Sequence, residues 1–375
     1  MRKIYSLLLL GGLLLLGAGN VWANYDWYDC SMSIGGQTAL NFANWSKSGD
    51  SPTDLGFLTD MTISSIAFKT WDDGNDRGGA NMYFRIWDGG ASPVGEDQDL
   101  WLGSATRITG DHDFSISWTT GLDLASAVSL TLVPGKTYYI DMWAKTYGTS
   151  GDHWFNGTGD NYHVKFVYAG SKTVTIGEKG WTTFCCSWPL DLSDMDPSTG
   201  TVTAYYASAA NATLNTVTMT STTATIKEGV GVMLKGTPSA TITISGAVEG
   251  SLISGNLLVG CTEALNITTS TPNYSKFYVL VNGSTAAEFQ NIGAYVLNEG
   301  YDPRTLTIPA GKAYLDLHDV TGFAPSVIRI VDEESGATNI EAIEASEDAV
   351  KFIQNGKLYI KKNNVVYDMM GAIVK

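Results

Sequence analysis

Two short runs of this sequence set aromatic rings and charges where a sugar could meet them. In residues 81–87, strand alternation sends Met82, Phe84 and Ile86 to one face and Tyr83, Arg85 and Trp87 to the other. In 138–143 the same rule groups Tyr138, Ile140 and Met142 against Tyr139, Asp141 and Trp143. The second face of each run mixes flat rings with charged groups. A pyranose stacks its C–H face on such a ring while its hydroxyls bond to Asp, Asn, Arg or Lys. Rings packed under a loop or against a neighbouring domain are the competing account.

The glycine-rich segment 151–163 carries Asp152, Trp154, Asn156, Asp160 and Asn161 between two expected strands, a loop able to close over a ligand. A loop folded onto its own sheet with Trp154 as anchor is the alternative. Asp72, Asp73, Asn75 and Asp76 gather oxygen donors of the kind calcium takes. Their spacing is not that of an EF-hand and no Glu closes the series, so a solvated turn is the simpler reading. No cofactor is expected beyond that candidate calcium. His112, His153, His163 and His318 are scattered, though the first three could approach one another in a sandwich.

Catalytic signatures are missing. There is no Gly-x-Ser-x-Gly elbow, no His-Glu-x-x-His and no phosphate-binding glycine loop. Carboxylates are plentiful, yet the sequence does not say which two would face each other across a glycosidic bond. Asp111-His112-Asp113 reads as a turn before the next strand.

Strands must position these residues. Segments 62–71, 81–87, 100–108, 114–119, 127–133, 137–144 and 161–168 are rich in β-branched and aromatic residues, with Gly, Asp and Asn clusters between them. Residues 24–330 show no sustained helical spacing. The expected fold is all-β: two antiparallel β-sandwich-like domains, 24–170 and 171–334, then an acidic linker and a short β-hairpin tail, 335–375. In the tail, Asn355-Gly356 between alternating apolar residues is a strong hairpin signal.

A net charge of -15, with no basic stripe, argues against nucleic acid, whose phosphates need clustered Lys and Arg. Arg2 and Lys3 precede an apolar run from Ile4 to Ala18, and Val21-Trp22-Ala23 offers small residues at a cleavage site. Residues 1–23 therefore read as a secretory signal peptide. Their apolar core is shorter than the roughly 20 residues of a spanning helix, so no membrane span is expected. In an exported chain, Cys30, Cys185, Cys186 and Cys261 permit two disulfides. Adjacent cysteines strain a bond to each other, so a bridge from Cys185 or Cys186 to Cys261 or Cys30 is expected, with free buried thiols as the alternative.

Three stretches carry resemblances. Leu132-Val133-Pro134-Gly135-Lys136-Thr137-Tyr138-Tyr139-Ile140 resembles the tyrosine-corner segment of fibronectin type III and related sandwiches. It implies that the Tyr138 hydroxyl bonds back to the preceding turn. Segments 180–185, 203–208, 227–236, 252–260 and 308–315 resemble, in order, an accessory domain of large exported proteins of anaerobic Gram-negative bacteria. Cys186 departs from that pattern, which has one cysteine there. The resemblance implies an all-β module without established catalytic residues. The last forty or so residues, ending in Val366-Tyr367-Asp368-Met369-Met370-Gly371-Ala372-Ile373-Val374, resemble a C-terminal sorting domain of type IX secretion substrates. That resemblance implies transport to the outer cell surface and attachment there; a small capping hairpin is the alternative.

Together these features suggest a secreted or surface-attached, non-catalytic binding protein with a glycan or a host or surface macromolecule as partner. A structural or adhesive surface component is the second reading, and a sandwich-type glycan hydrolase the third.

Overall fold

The computed structural model describes residues 27–47, 49–71, 77–108, 113–148, 151–155, 161–293, 305–322, 325–333, 349–354, 357–362 and 365–368. The signal-peptide segment, the calcium candidates Asp72, Asp73, Asn75 and Asp76, and also Asn156, Asp160, Asp111 and His112, lie outside the described residues. The fold is all-β, and among the described residues no helix is long and apolar enough to cross a membrane.

The first set of strands comprises β1 (Trp27–Ile34), β2 (Gln37–Leu40), β3 (Thr53–Leu58), β4 (Thr62–Trp71), β5 (Arg77–Trp87) and β6 (Val94–Gly103). It continues with β7 (Thr106–Arg107), β8 (Asp113–Trp118), β9 (Leu122–Asp123), β10 (Thr137–Gly148), β11 (His153–Phe155) and β12 (Tyr162–Tyr168). One sheet runs β2-β1-β4-β8-β7 with β9 on β4, and the other β3-β12-β10-β5-β6 with β11 on β10. Pairing is antiparallel except for β3, which lies parallel to β12. The inward residues of the two sheets form one core: Met32, Ile63, Ile66 and Phe68 from the first, Met82, Phe84, Ile86, Ile140 and Met142 from the second. This is a sandwich, and alternation along β5 and β10 leaves Tyr83, Arg85, Trp87, Tyr139, Asp141 and Trp143 on the face away from that core.

Tyr138 is fully buried, and its hydroxyl accepts a hydrogen bond from the Val133 N–H at 2.8 Å, the geometry expected of a tyrosine corner.

Two expected strands are corrected. Residues 127–133 form no strand: Ala127 ends a short helix, α1 (Leu124–Ala127), and the rest follow it as turn and loop. The Asp123 side chain accepts from the N–H groups of Ala125 and Ser126, and this cap turns the backbone away from extended form. The apolar residues that suggested a strand, Leu130 and Leu132, instead pack from a loop against the core. The run 100–108 is split between sheets: β6 ends at Gly103, and β7 joins the opposite sheet beside β8.

The second set opens with β13 (Lys172–Thr175), β14 (Trp181–Phe184), β15 (Leu190–Pro197), β16 (Val202–Asn211), β17 (Thr216–Thr222) and β18 (Thr225–Ile226). Then come β19 (Val232–Gly236), β20 (Thr241–Gly246), β21 (Leu258–Cys261), β22 (Leu265–Thr268) and β23 (Phe277–Asn282). It closes with β24 (Ala287–Asn291), β25 (Thr305–Ile308), β26 (Lys312–Asp316) and β27 (Val327–Asp332). A nine-stranded sheet, β14-β19-β16-β17-β27-β24-β23-β26-β21, is flanked by the sheet β13-β20-β15-β18 and the pair β22-β25. Val232, Met233 and Leu234 on β19 are all buried because this strand is covered on both faces. The nine-stranded sheet curls toward closure. The Cys185 N–H donates to the Gly311 carbonyl at 3.1 Å, and the Gly311 N–H donates to the Cys261 carbonyl at 2.7 Å.

Trp188 joins the two sets of sheets. Its indole N–H donates to the Gly170 carbonyl at 2.7 Å, and its ring lies against Gly135, where an added Cβ would stand 3.0 Å from the ring. Gly135 also has φ +79°, so that position suits glycine twice over.

The expected disulfide is not formed. All four cysteines are free and buried. Cys30 belongs to the core of the first sandwich, whereas Cys186 and Cys261 sit in cores of the second set of sheets. Burial pushes the Cys30 and Cys185 thiols up to about 12, with Cys261 close enough to Cys185 to add to the shift.

In the tail, β28 (Ala349–Gln354), β29 (Lys357–Lys362) and β30 (Val365–Asp368) pair antiparallel in chain order.

Candidate functional site

The outward face of the sheet β3-β12-β10-β5-β6 carries a continuous aromatic and charged strip. Register makes it: β10 pairs with β5 so that Tyr139 lies opposite Trp87, Asp141 opposite Arg85, Trp143 opposite Tyr83 and Lys145 opposite Asn81. Cross-strand neighbours on one face stand close enough for their rings to meet. Tyr83 and Trp143 stack with centroids 5.6 Å apart and planes 9° from parallel.

β11 folds back on β10 with Trp154 opposite Lys145. The Trp154 ring reaches Tyr83 at 5.7 Å with a 38° tilt, yet the residue stays 52% exposed. Lys145 holds this hairpin: its ammonium lies 5.0 Å from the Trp154 ring centroid and pairs with Asp152 at 2.7 Å. The described part of the loop is thus folded onto its own sheet with Trp154 as its anchor. Trp154 rests on its own sheet and also presents a free face.

At the other end of the strip, Trp101 from β6 is 50% exposed and meets Tyr147 at 6.0 Å. Its ring lies over Gly79, where an added Cβ would come within 2.3 Å of the indole, and Gly79 itself has φ +155°. A glycine in mid-strand here makes room for the tryptophan. Tyr147 also hydrogen-bonds Tyr83; burial first, and that bond second, hold the Tyr83 phenol well above its ordinary value.

The charges on this face are engaged by neighbours. Arg85 donates from Nε and Nη2 to the two carboxylate oxygens of Asp97, both at 2.7 Å, and its guanidinium lies 5.3 Å from the Trp143 ring centroid. Asn81 donates to Asp99. Asp141 is only 7% exposed: the Trp87 indole N–H donates to its Oδ2 at 2.9 Å, and His163 Nδ1 donates to its Oδ1 at 2.5 Å. His163 in turn stacks on Tyr139, 5.7 Å between centroids and 6° from parallel.

Asp141 is therefore a positioning carboxylate, with both oxygens spent on orienting Trp87 and His163, rather than a free acceptor for a ligand. Arg85 is a half-exposed fork already filled by Asp97. What the strip offers a ligand is the half-exposed rings of Trp154 and Trp101 beside the Tyr83–Trp143 stack, edged by Asp99 and by the Lys145–Asp152 pair. Apolar C–H faces stack on such rings, and rim carboxylates accept from hydroxyls.

The sequence-predicted residues Tyr83, Arg85, Trp87, Tyr139, Asp141, Trp143, Asp152 and Trp154 come together here. Sequence reasoning missed Trp101, Lys145, Tyr147, Asp97 and the role of His163. Lys145 and Tyr147 continue the alternation of Tyr139, Asp141 and Trp143, so running β10 on to Gly148 would have found them. Trp101 and His163 needed the register of strands distant in sequence.

Among the described residues no cluster of three or more His, Cys, Asp or Glu side chains is placed to hold a metal ion. A comparison with protein-family models finds no match, and a comparison with curated proteins finds no relative.

Proposed function

We propose that this chain is an exported, non-catalytic surface protein that recognises glycans through the outer face of β5, β10, β6 and β11. The observation that carries the reading is the near-parallel Tyr83–Trp143 stack extended by half-exposed Trp154 and Trp101. Half-exposed indole rings beside rim carboxylates suit the alternating C–H and O–H surfaces of a sugar. A row of rings spread over several strands fits an extended saccharide better than a single small molecule in a deep pocket. Export and surface attachment rest on the charged, apolar and small-residue order of residues 1–23 and on the resemblance of the tail to sorting domains.

Affinity electrophoresis of the full chain through native gels cast with soluble polysaccharides tests the reading. Retardation in at least one neutral polysaccharide supports it; unchanged mobility in every gel counts against it. The internal pairing of Asp141 and Arg85 favours a second reading, a structural or adhesive surface component whose strip stiffens the sheet. Unchanged mobility would select that one.

A further inference from the structure

The second set of sheets contains a pocket of about 360 Å³, far from the aromatic strip in the topology and lined by residues of β14, β23 and β26 from the nine-stranded sheet and of β25 from the separate pair. Its volume lies within the range of about 300–1,000 Å³ over which small-molecule sites occur. The walls are mostly apolar, with Trp181, Leu280, Leu306 and Ile308 among them.

Among the described residues one cation lines it. Lys312 is half-buried, and its ammonium donates to the Thr182 hydroxyl at 3.1 Å. Thr182 is itself buried and donates onward to the Thr183 carbonyl at 3.4 Å. Among the described residues no carboxylate pairs with Lys312, and desolvation pushes its pKa down. The neighbouring cations are committed elsewhere. Lys235 stands over the Trp181 ring and pairs with Asp332, and Lys179 donates to the Ser284 carbonyl at 3.4 Å. Glu178 accepts from Asn282, a residue of the pocket wall, at 3.4 Å.

A partly desolvated ammonium without a counter-ion, lining an apolar cavity, is costly unless something negative joins it. We propose that this cavity binds a small organic carboxylate, its charged end on the remaining donors of Lys312 and its apolar body against Trp181, Leu280 and Leu306. Three N–H donors sit on a lysine ammonium, and Thr182 takes one of them. The apolar walls select a compact carbon skeleton over a bare inorganic anion.

Isothermal titration of the full chain with sodium benzoate, benzyl alcohol and inorganic phosphate tests this. Benzoate is expected to bind about tenfold or more tighter than the neutral alcohol, the worth of one charge-assisted hydrogen bond, with no binding of phosphate. Lys312→Met should remove that preference. Absence of benzoate binding, equal affinity for benzoate and benzyl alcohol, tighter binding of phosphate than of benzoate, or an unchanged preference in folded Lys312→Met overturns the proposal. Should Lys312→Met fail to fold, reductive methylation of the wild-type chain read by mass spectrometry decides. Benzoate is expected to slow modification of Lys312 and leave Lys47 unaffected; equal rates at Lys312 with and without benzoate overturn it.

Discussion

The Trp87 indole N–H reaches across the β5–β10 pair to Oδ2 of Asp141 at 2.9 Å, fixing a ring of one strand by a carboxylate of the next. With His163 on the other oxygen, Asp141 is a small hub buried on an otherwise open face. Asp141→Ala would leave two donors unpaired in a half-buried setting. It should lower stability by about 2–4 kcal/mol, at about 1–2 kcal/mol for each lost charge-assisted bond. Asp141→Asn keeps an acceptor for Trp87 and should cost less. Urea unfolding of both variants checks this order; wild-type stability in Asp141→Ala would contradict it.

Tyr138 ties the turn before β10 to the core through Val133. Tyr138→Phe retains the buried ring and removes only the hydroxyl, so the expected loss is about 1 kcal/mol. Amide exchange at Val133 should also accelerate. Unchanged exchange there would mean that the corner bond contributes nothing to holding the turn.

The four buried thiols should be unreactive in the native chain, because the thiolate is the attacking species and burial pushes Cys30 and Cys185 up to about 12. Titration with a chromogenic disulfide at about pH 8, where an ordinary exposed cysteine is partly ionised, should give no fast phase in the native state. Four equivalents should appear in denaturant. Two in denaturant would reveal a closed bridge.

Lys312 also makes stability depend on pH. Its folded-state pKa lies below that of the unfolded chain, so the unfolded state binds its proton more tightly. The resulting penalty is complete below the folded pKa and is relieved as pH rises through that value toward about 10.4. Lys312→Met removes the penalty. Its stability relative to wild type should be most favourable near neutrality and decline as alkaline pH is approached. A difference that stays constant from neutral to alkaline pH would contradict the desolvation of this lysine.

Alternation was readable wherever a strand has one face in the core. Met82, Phe84 and Ile86 against Tyr83, Arg85 and Trp87 follow from period two alone, and β4 falls on the residues whose composition suggested it. Local side-chain chemistry overrode composition at 127–133, where the Asp123 cap set a helical turn before a run of β-formers. Contacts between strands far apart in sequence were hidden. Neither the His163–Asp141 bond nor the seat of Trp101 on Gly79 has a local signature, because each depends on which strands pair and in what register. The cavity beside Lys312 escaped for the same reason: β14, β23, β25 and β26 meet only after the large sheet has curled.

If the aromatic strip binds glycans, Trp154→Ala should weaken that binding, because this ring is 52% exposed and leans on Tyr83. The measurement is a glycan array probed with the full wild-type chain and with Trp154→Ala at equal concentration, with thermal unfolding of both recorded alongside. The expected result is a defined set of glycans bound by the wild type. Their affinity should fall in the variant by about 1 kcal/mol, roughly fivefold, the scale of one ring-stacking contact. The unfolding midpoint should be nearly unchanged. A wild type that binds no glycan, or a variant that binds the same glycans equally well, contradicts the account.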